Sequence, residues 1–448
     1  MSKKSANREE LFRSVPISKA VWALCLPNIL SMLTGVVYNL VDMFFIGRIG
    51  DPNQLAAVSL SGPIFTILMG FGNIFGLGGG AFLARSMGEG KHERVKQISS
   101  FCFWTAVGLG VVSAAVIMGG MTPLLDIVGT SENTREYTRQ YLSWIGVGAP
   151  IMVLNFVGSN LIRSEGGAKE TMFGQMMGTV INIILDPILI FGCKMGIQGA
   201  AAATVFSNLC ADIYFIILLN RSKTQSLAPK FYRVKEIIGP VMVVGVPASL
   251  NNVMMSVAML ILNNKLVKFG DNVIAGMGVA GKVNSIAFML LIAIAFGVQP
   301  LLAYNYGARN RERFHGALRY TALMQIIVGT AGTLLIELLA GTLVRFFIDD
   351  ADVIKHGTYI LRAMNSTGPI LGLLFLLTNL FQSMGKGVPS MILSLSRSGI
   401  VYIPVLLLMS TLFAYHGTVW AQPAADIIAV ILAFLMYKNS MKHDKEMQ

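Results

Sequence analysis

The sequence predicts an all-α polytopic membrane protein in which twelve transmembrane helices form two parallel repeats of six. Three observations predict this fold. Of the 448 residues, 54% are hydrophobic and only 13% are charged, which excludes an ordinary soluble domain. Apolar runs of about 20 residues or more recur along the whole chain with short polar breaks between them. A repeat of about 219 residues then relates the first half of the chain to the second.

The repeat is visible in two pairs of segments with a common offset. "GGGAFLARSMGEGKHERV" (78–95) aligns with "GVQPLLAYNYGARNRERF" (297–314), and the segment starting at Pro150 aligns with the segment starting at Pro369. Each repeat has an even number of spans, so both enter the membrane in the same orientation, as in one class of secondary transporters. The predicted spans are 17–47, 54–84, 98–125, 140–163, 172–194 and 198–220, then 237–266, 273–303, 318–347, 358–383, 389–413 and 417–437. The predicted domains are therefore 1–220, a linker at 221–236, and 237–448.

The basic residues indicate the topology. The net charge is +12, and roughly 25 of the 35 Lys and Arg side chains fall in the termini and in alternate loops such as "RSMGEGKHERVK". The positive-inside rule therefore places both termini in the cytoplasm, and the charge gives no reason to expect a nucleic-acid partner. The protein is expected in the plasma (inner) membrane. The first span lacks a small-residue cleavage site and is expected to be the insertion signal. The four cysteines show no paired or metal-binding spacing.

An amide and an acid fall inside the fifth predicted span, in "VINIILDPILIFG". Asn182 and Asp186 are four residues apart and share a helix face, and Asp42 near the outer end of the first span reaches a similar depth. Such residues form either a buried polar network between helices or an ion-coupling site. Pro187 is expected to free the carbonyl of Ile183 from its helical partner, which would give a cation another oxygen.

Other charges in the predicted spans favour different interpretations. Asp212 and Asp426 occupy equivalent places in the two repeats, which favours an architectural role for both. Lys282 and Glu337 are expected to pair with each other or with Asp426. The segment "LFQSMGKG" lacks the first glycine and the final hydroxyl of a phosphate-binding loop, so an ion gradient is the expected energy source.

Several of these segments resemble the multidrug and toxic compound extrusion (MATE) transporters. The resemblance is carried by "VDMFFIG", "NLIRSEG", "NIILDP", "GAAAATV" and the two-fold repeat, and it covers essentially the whole chain. It implies a V-shaped pair of six-helix lobes that exports cationic, amphipathic small molecules in exchange for Na+ or H+, with no other cofactor. The lipid membrane would surround a monomer.

The resemblance also implies which residues couple the ion to transport. They are Asp42, Asn182, Asp186, Thr204 and Asn160, and the first three would hold a monovalent metal ion if the exchanger uses Na+. Pro27 and Pro187 would be conformational hinges, with the first helix bending near Pro27 when the cation enters. Neither 246–264 nor 363–383 contains an acid, which resembles the DinF-like branch, in which coupling is confined to the first lobe.

Two other functions compete with this interpretation. A flippase for lipid-linked oligosaccharides would share the two-lobe plan but needs several arginines to hold a pyrophosphate, and the spans offer few. An intramembrane enzyme would need clustered acids or histidines near a membrane surface, which the sequence lacks. We therefore expect a transporter and not an enzyme.

Overall fold

A computed structural model describes residues 3–443, except the side chains of residues 3–7, 252, 253, 256 and 271. The described chain is almost entirely helical and contains no strand. A short helix, α1, comes first, and helices α2 to α8 follow it. Their bounds are Lys3–Arg13 (α1), Ile17–Gly47 (α2), Pro52–Gly88 (α3), His92–Gly119 (α4), Met121–Ile127 (α5), Glu132–Ser164 (α6), Ala168–Pro187 (α7) and Ile197–Arg221 (α8).

The second half of the chain repeats this pattern with more interruptions. Its helices are Ile238–Leu266 (α9), Asp271–Gly307 (α10), Arg311–Arg345 (α11), Ala351–Asn365 (α12), Gly368–Ser383 (α13), Gly387–Leu395 (α14) and Tyr402–Lys442 (α15). Two π-helical segments interrupt the halves, Ile188–Gly192 after α7 and Ser396–Ile400 after α14, and single 3-10 turns lie at Pro229–Phe231 and Val267–Phe269.

The helices account for the twelve predicted spans. Within residues 3–443, nine helical stretches are long and apolar enough to cross a membrane, and the pair α12 and α13, bent by 50°, makes a tenth. One of the nine, Gly387–Lys442, contains both predicted spans 389–413 and 417–437. Helix α9, with its apolar part Ile238–Asn251, supplies the remaining span. The predicted spans 98–125 and 358–383 are wrong as single helices, since breaks separate α4 from α5 and α12 from α13.

A backbone break divides the last predicted pair of spans. Ala414 has φ 49° and ψ −122°, which is not helical. Close to it, a Cβ atom on Gly417 would lie 1.9 Å from the carbonyl oxygen of Met409, so only glycine fits. The sequence prediction of two spans on either side of residues 414–416 is therefore confirmed.

The chain forms two compact units. The first contains the described residues up to Val15 and Leu30–Gly245, and the second contains Pro16–Ile29 and the residues from Val246 onward. The domains predicted from the repeat, 1–220 and 237–448, group the segments 16–29 and 237–245 differently. Helix α2 therefore contributes its first part to the second unit and its remainder to the first.

Close packing in the first unit depends on a glycine ridge on α3. Gly72, Gly76 and Gly80 lie one turn apart, and a Cβ atom on any of them would come within 3 Å of a side-chain atom of α6. At Gly80 that atom is the hydroxyl oxygen of Ser164, 2.4 Å away. Small residues of this kind let membrane helices approach closely where apolar burial gives little driving force.

Candidate cation-coupling site

Three helices of the first unit contribute side chains to one polar cluster. Asp42 lies near the end of α2, Asn182 and Asp186 lie on one face of α7, and Thr204 lies in the first half of α8. Asn182 and Asp186 are fully buried, and Thr204 is 4% exposed. The structure thus buries the polar residues of the "NIILDP" segment inside the unit instead of exposing them to lipid.

Two hydrogen bonds and the interaction of two charges relate these residues. The side-chain amide of Asn182 donates to Oδ1 of Asp186 at 3.3 Å. The hydroxyls of Tyr38 and Thr204 lie 3.0 Å apart. The charges of Asp42 and Asp186 lie close enough to act on each other, and both act on the hydroxyl of Tyr38. The predicted residues Asp42, Asn182, Asp186 and Thr204 therefore share one electrostatic environment.

The cluster leaves three buried oxygen atoms without a hydrogen-bond partner. They are Oδ1 of Asp42, Oδ1 of Asn182 and Oδ2 of Asp186. All three are acceptors, so a bound cation or proton would satisfy them, whereas a further anion would not. Two neighbouring carboxylates in a buried site also repel each other unless a positive charge lies between them. The residues present therefore fit a monovalent cation.

The number of acids limits which cation fits. Among the residues that the structure describes, no group of three or more His, Cys, Asp or Glu side chains could hold a metal ion. The donor set of the cluster is two carboxylates, one amide oxygen and one hydroxyl, all of them hard oxygen ligands. Such a set suits Na+ or a proton, since transition metals favour imidazole and thiolate ligands.

The structure does not bring Asn160 to this cluster. The hydroxyl of Thr171 donates to the carbonyl oxygen of Ser159 at 3.2 Å, which fixes the level at which α6 and α7 lie side by side. Asn160 is therefore about fifteen residues from Asp186 along α7, roughly 22 Å. Its amide donates to the carbonyl of Phe156 at 2.6 Å, and its oxygen accepts a bond from Arg163.

Both predicted hinge prolines lie at changes in the structure. Helix α7 ends at Pro187, and the chain continues as the π-helix Ile188–Gly192, in which the amide of Cys193 donates to the carbonyl of Ile188 at 2.8 Å. Helix α2 passes from the second unit to the first between Ile29 and Leu30, soon after Pro27. Helix α7 therefore passes into a π turn at Pro187, whereas the release of the Ile183 carbonyl and the hinge role of both prolines stay predictions.

The second unit pairs its buried acid with an arginine that sequence reasoning missed. Nε of Arg397 lies 3.2 Å from Oδ1 of Asp426, whose side chain is fully buried. Glu337 pairs with Arg362 at 3.4 Å. These two acids therefore use arginine partners, and Lys282 is an exposed side chain. Arg397 could have been found from the sequence, because it is an arginine inside the predicted span 389–413.

Sequence reasoning also missed neutral members of the first unit's polar network. Tyr38 lies one helical turn before Asp42, and this spacing could have found it. Tyr141 of α6 lies close enough to Asp42 and Asp186 for both charges to act on its hydroxyl. Asn155 and Gln175 are bonded to each other at 3.1 Å and lie farther along the same pair of helices. Burying an amide or a phenol in a span costs less than burying a charge, so these residues do not stand out in the sequence.

The fold and the cluster together define a class of protein. Two six-span repeats, helices broken by proline and π turns, and buried acids with unpartnered oxygens are the features of a secondary membrane transporter. The chain is thus a transporter.

Comparison with known proteins identifies the family. The MatE family model matches residues 27–188 and again residues 247–408, so its two matches begin at Pro27 and Pro247 and repeat the internal offset of the sequence. These matches cover well over half of the chain, and the chain belongs to the MatE family.

Curated relatives and solved structures agree with this assignment. The multidrug export protein MepA of Staphylococcus saprophyticus is 32% identical over 95% of this chain and 94% of that protein. MepA of Staphylococcus aureus strain MSSA476 is 30% identical over the same shares of the two chains. A crystal structure of MATE in complex with MaL6 has the same fold, with a TM-score of 0.92 and 24% identity over 99% of both chains.

Proposed function

We propose that this protein exports cationic, amphipathic small molecules across the plasma (inner) membrane in exchange for Na+ or H+. The observation that carries the proposal is the cluster of unpartnered acceptor oxygens on Asp42, Asn182 and Asp186. Its relatives of 30 to 32% identity are named multidrug export proteins, and the match covers 94% of their length. A drug exporter without a nucleotide site needs such a place for an ion to bind.

Coupling follows from the chemistry of the cluster. With no cation bound, the two carboxylates repel each other across a buried site, and this repulsion is relieved when a proton or Na+ enters. Cation entry can drive transport only if the ion binds one conformation more tightly than the other. Thr204, held by Tyr38, adds a hydroxyl oxygen to the same cluster.

Pro27 and Pro187 are the proposed hinges. Each proline removes one backbone hydrogen bond from its helix, so bending there breaks fewer bonds than bending elsewhere. Asp42 lies on the same helix as Pro27, and Asp186 immediately precedes Pro187. A cation that draws these two carboxylates together therefore acts directly on both helices that carry a hinge.

The remaining parts of the proposal concern arrangement. Coupling is confined to the first unit, as in the DinF-like branch, because the acid of the second unit is already paired with Arg397. Both termini are proposed to lie in the cytoplasm and the protein to act as a monomer in the lipid bilayer, and the terminal residues 1, 2 and 444–448 lie outside the described part of the chain. Lipid-linked oligosaccharide flipping is not favoured, because the guanidinium of Arg397 is already paired with Asp426 and the curated relatives are named for drug export.

Efflux from proteoliposomes tests the proposal. A fluorescent cationic dye is loaded, and a Na+ gradient or a pH gradient is imposed separately on wild type, Asp186→Asn and Glu337→Gln. Glu337→Gln is the matched control, because it also converts an acid to its amide but at a half-exposed position in the second unit. We expect one gradient to drive efflux in wild type and the control and to have no effect in Asp186→Asn. Gradient-driven efflux that survives in a folded Asp186→Asn protein would contradict the proposal.

A further inference from the structure

The equivalent buried acids of the two repeats have different hydrogen-bond and ion-pair partners. Asp426 of the second unit is fully satisfied: the hydroxyl of Thr367 donates to Oδ2 at 3.0 Å, the amide of Gln422 donates to Oδ1 at 2.9 Å, and Arg397 supplies the opposite charge. The guanidinium is held between Phe288 and Phe375, 5.0 and 5.3 Å from the ring centres. Both oxygens of this carboxylate therefore have a donor, and a positive charge lies beside it.

Asp212 of the first unit has no such partner. It is 2% exposed, and one bond reaches it, from the amide of Asn155 to Oδ1 at 3.0 Å. Its Oδ2 is buried without a hydrogen-bond partner, and no ion pair between described residues includes it. Burying a carboxylate anion with a single amide partner is unfavourable, because no positive charge offsets its loss of hydration.

The helices packed against α8 present neutral groups to Asp212. Asn155 faces it from α6, and Gln175 of α7 donates to the oxygen of Asn155 at 3.1 Å, which directs the Asn155 amide nitrogen toward the acid. The π turn 188–192 that also packs on α8 carries no titratable residue.

The charged groups of these helices lie farther along them. On α6, Arg163 is eight residues beyond Asn155, about 12 Å along the helix axis. On α7, Lys169 and Glu170 precede Gln175 by six and five residues, about 9 and 8 Å, and Asp186 follows it by eleven, about 16 Å. The titratable neighbours on α8 itself, Cys210 and Tyr214, carry no positive charge.

A cavity lies next to residues that are bonded to this acid and to the cation cluster. It has a volume of about 150 Å³, and its lining includes Asn155, Gln175 and Tyr38. Tyr38 is bonded to Thr204 of the cluster, and Asn155 is bonded to Asp212. A single water needs roughly 10–15 Å³, so the cavity accommodates several waters.

We propose that Asp212 is a second protonation site of the first unit, which exchanges its proton with water that reaches it from the adjacent cavity lined by Asn155 and Ala211. A hydronium ion gives its proton to Oδ2, forming an O–H bond and leaving water, and the reverse step returns it. A proton fits better than a metal ion, because the one group bonded to Asp212 is an amide N–H donor, whereas Na+ requires several oxygen ligands. The protonation of Asp212 does not depend on the proposed function. Only the part of this protonation in transport rests on that function.

Infrared difference spectroscopy of the purified protein in lipid tests the site without any transported substrate. A protonated carboxylic acid has a carbonyl stretching band that its anion lacks. We expect this band in wild type at low pH, its loss as the pH is raised, and its absence in Asp212→Asn. Glu337→Gln is the matched control, because it is also an acid-to-amide change and lies at a half-exposed position in the second unit, so it should leave the band in place. An Asp212→Asn spectrum equal to wild type at every pH, or a band in wild type that never titrates, would overturn the proposal.

A second variant assigns the band even if Asp212→Asn does not fold. Asn155→Ala removes the hydrogen bond to Oδ1, so the band of Asp212 should move to higher wavenumber, as a carbonyl does when it loses a donor. A band that does not move belongs to another acid and contradicts the assignment. In proteoliposomes, Asp212→Asn should lower the number of protons moved per dye molecule, whereas Asp186→Asn abolishes coupling. Titration of Asp212 without any gradient-driven efflux in wild type would refute the proposed function and leave the protonation site intact.

Discussion

Replacing Arg397 by methionine should destabilise the second unit strongly. The substitution keeps an unbranched apolar side chain between Phe288 and Phe375 but removes the charge that balances Asp426. The bonds from Thr367 and Gln422 remain, so the loss is that of the opposite charge at a fully buried carboxylate. Removing one partner of a buried ion pair typically costs about 3–5 kcal/mol.

The ion pair of Arg362 and Glu337 provides the matched control. Its partners are 51% and 38% exposed, so losing one of them leaves no fully buried charge, and the typical value of an exposed pair is about 0–1 kcal/mol. Arg362→Met removes the same functional group from a neighbouring part of the same unit. The two variants therefore differ in burial and not in chemistry.

Reversible unfolding in mixed detergent micelles, followed by circular dichroism, gives the two free energies. We expect Arg397→Met to lose at least 2 kcal/mol more than Arg362→Met, the gap between the two ranges. The double change Arg397→Met with Asp426→Asn should recover part of the loss, because it no longer buries an unpaired charge. Equal losses for the two single variants, or no recovery in the double variant, would refute the reasoning.

Two further substitutions test the packing and the site of the first unit. Gly80→Ala places a Cβ atom 2.4 Å from Oγ of Ser164 and should cost about 1–3 kcal/mol in the same unfolding assay. Gly62→Ala is the control and should be neutral, because nothing lies within 4 Å of its Cβ position. Comparable losses for the two variants would contradict the role of the glycine ridge in packing. Tyr38→Phe removes the hydroxyl that is bonded to Thr204 at 3.0 Å. The cation concentration for half-maximal efflux should rise about 2- to 10-fold, which corresponds to the loss of one net hydrogen bond. An unchanged concentration would place Tyr38 outside the site.

The sequence was sufficient to predict the fold because its signals are long and repeated. Apolar runs identify spans whatever their packing, and the offset between Pro150 and Pro369 is visible without coordinates. Breaks such as those at Gly120 and between Asn365 and Gly368 were not predicted, since a bent span has the same composition as a straight one. Which helices pack together depends on small residues such as Gly80, which are common throughout membrane helices.

The candidate site was predictable to the extent that it consists of acids. Asp42 and Asp186 are conspicuous in apolar runs because a buried acid is costly. Asn155 and Tyr38 are not, because neutral polar groups are cheaper and their role depends on which neighbours they meet. The equivalent positions of Asp212 and Asp426 suggested one shared role, and only the side-chain contacts show that Arg397 neutralises one acid and that an amide alone contacts the other.

Cation binding at Asp42 and Asp186 should be coupled to substrate binding, and an equilibrium binding experiment can detect this coupling. Equilibrium binding of a cationic dye to purified protein is measured over a range of Na+ concentrations at fixed pH, and over a range of pH without Na+, for wild type and Asp186→Asn. Because linkage is reciprocal, an ion that drives export must weaken dye binding by the factor with which the dye weakens ion binding. We predict that dye affinity falls with one of the two cations in wild type and is independent of both in Asp186→Asn. Dye affinity in wild type that is unaffected by Na+ and by pH would contradict the account.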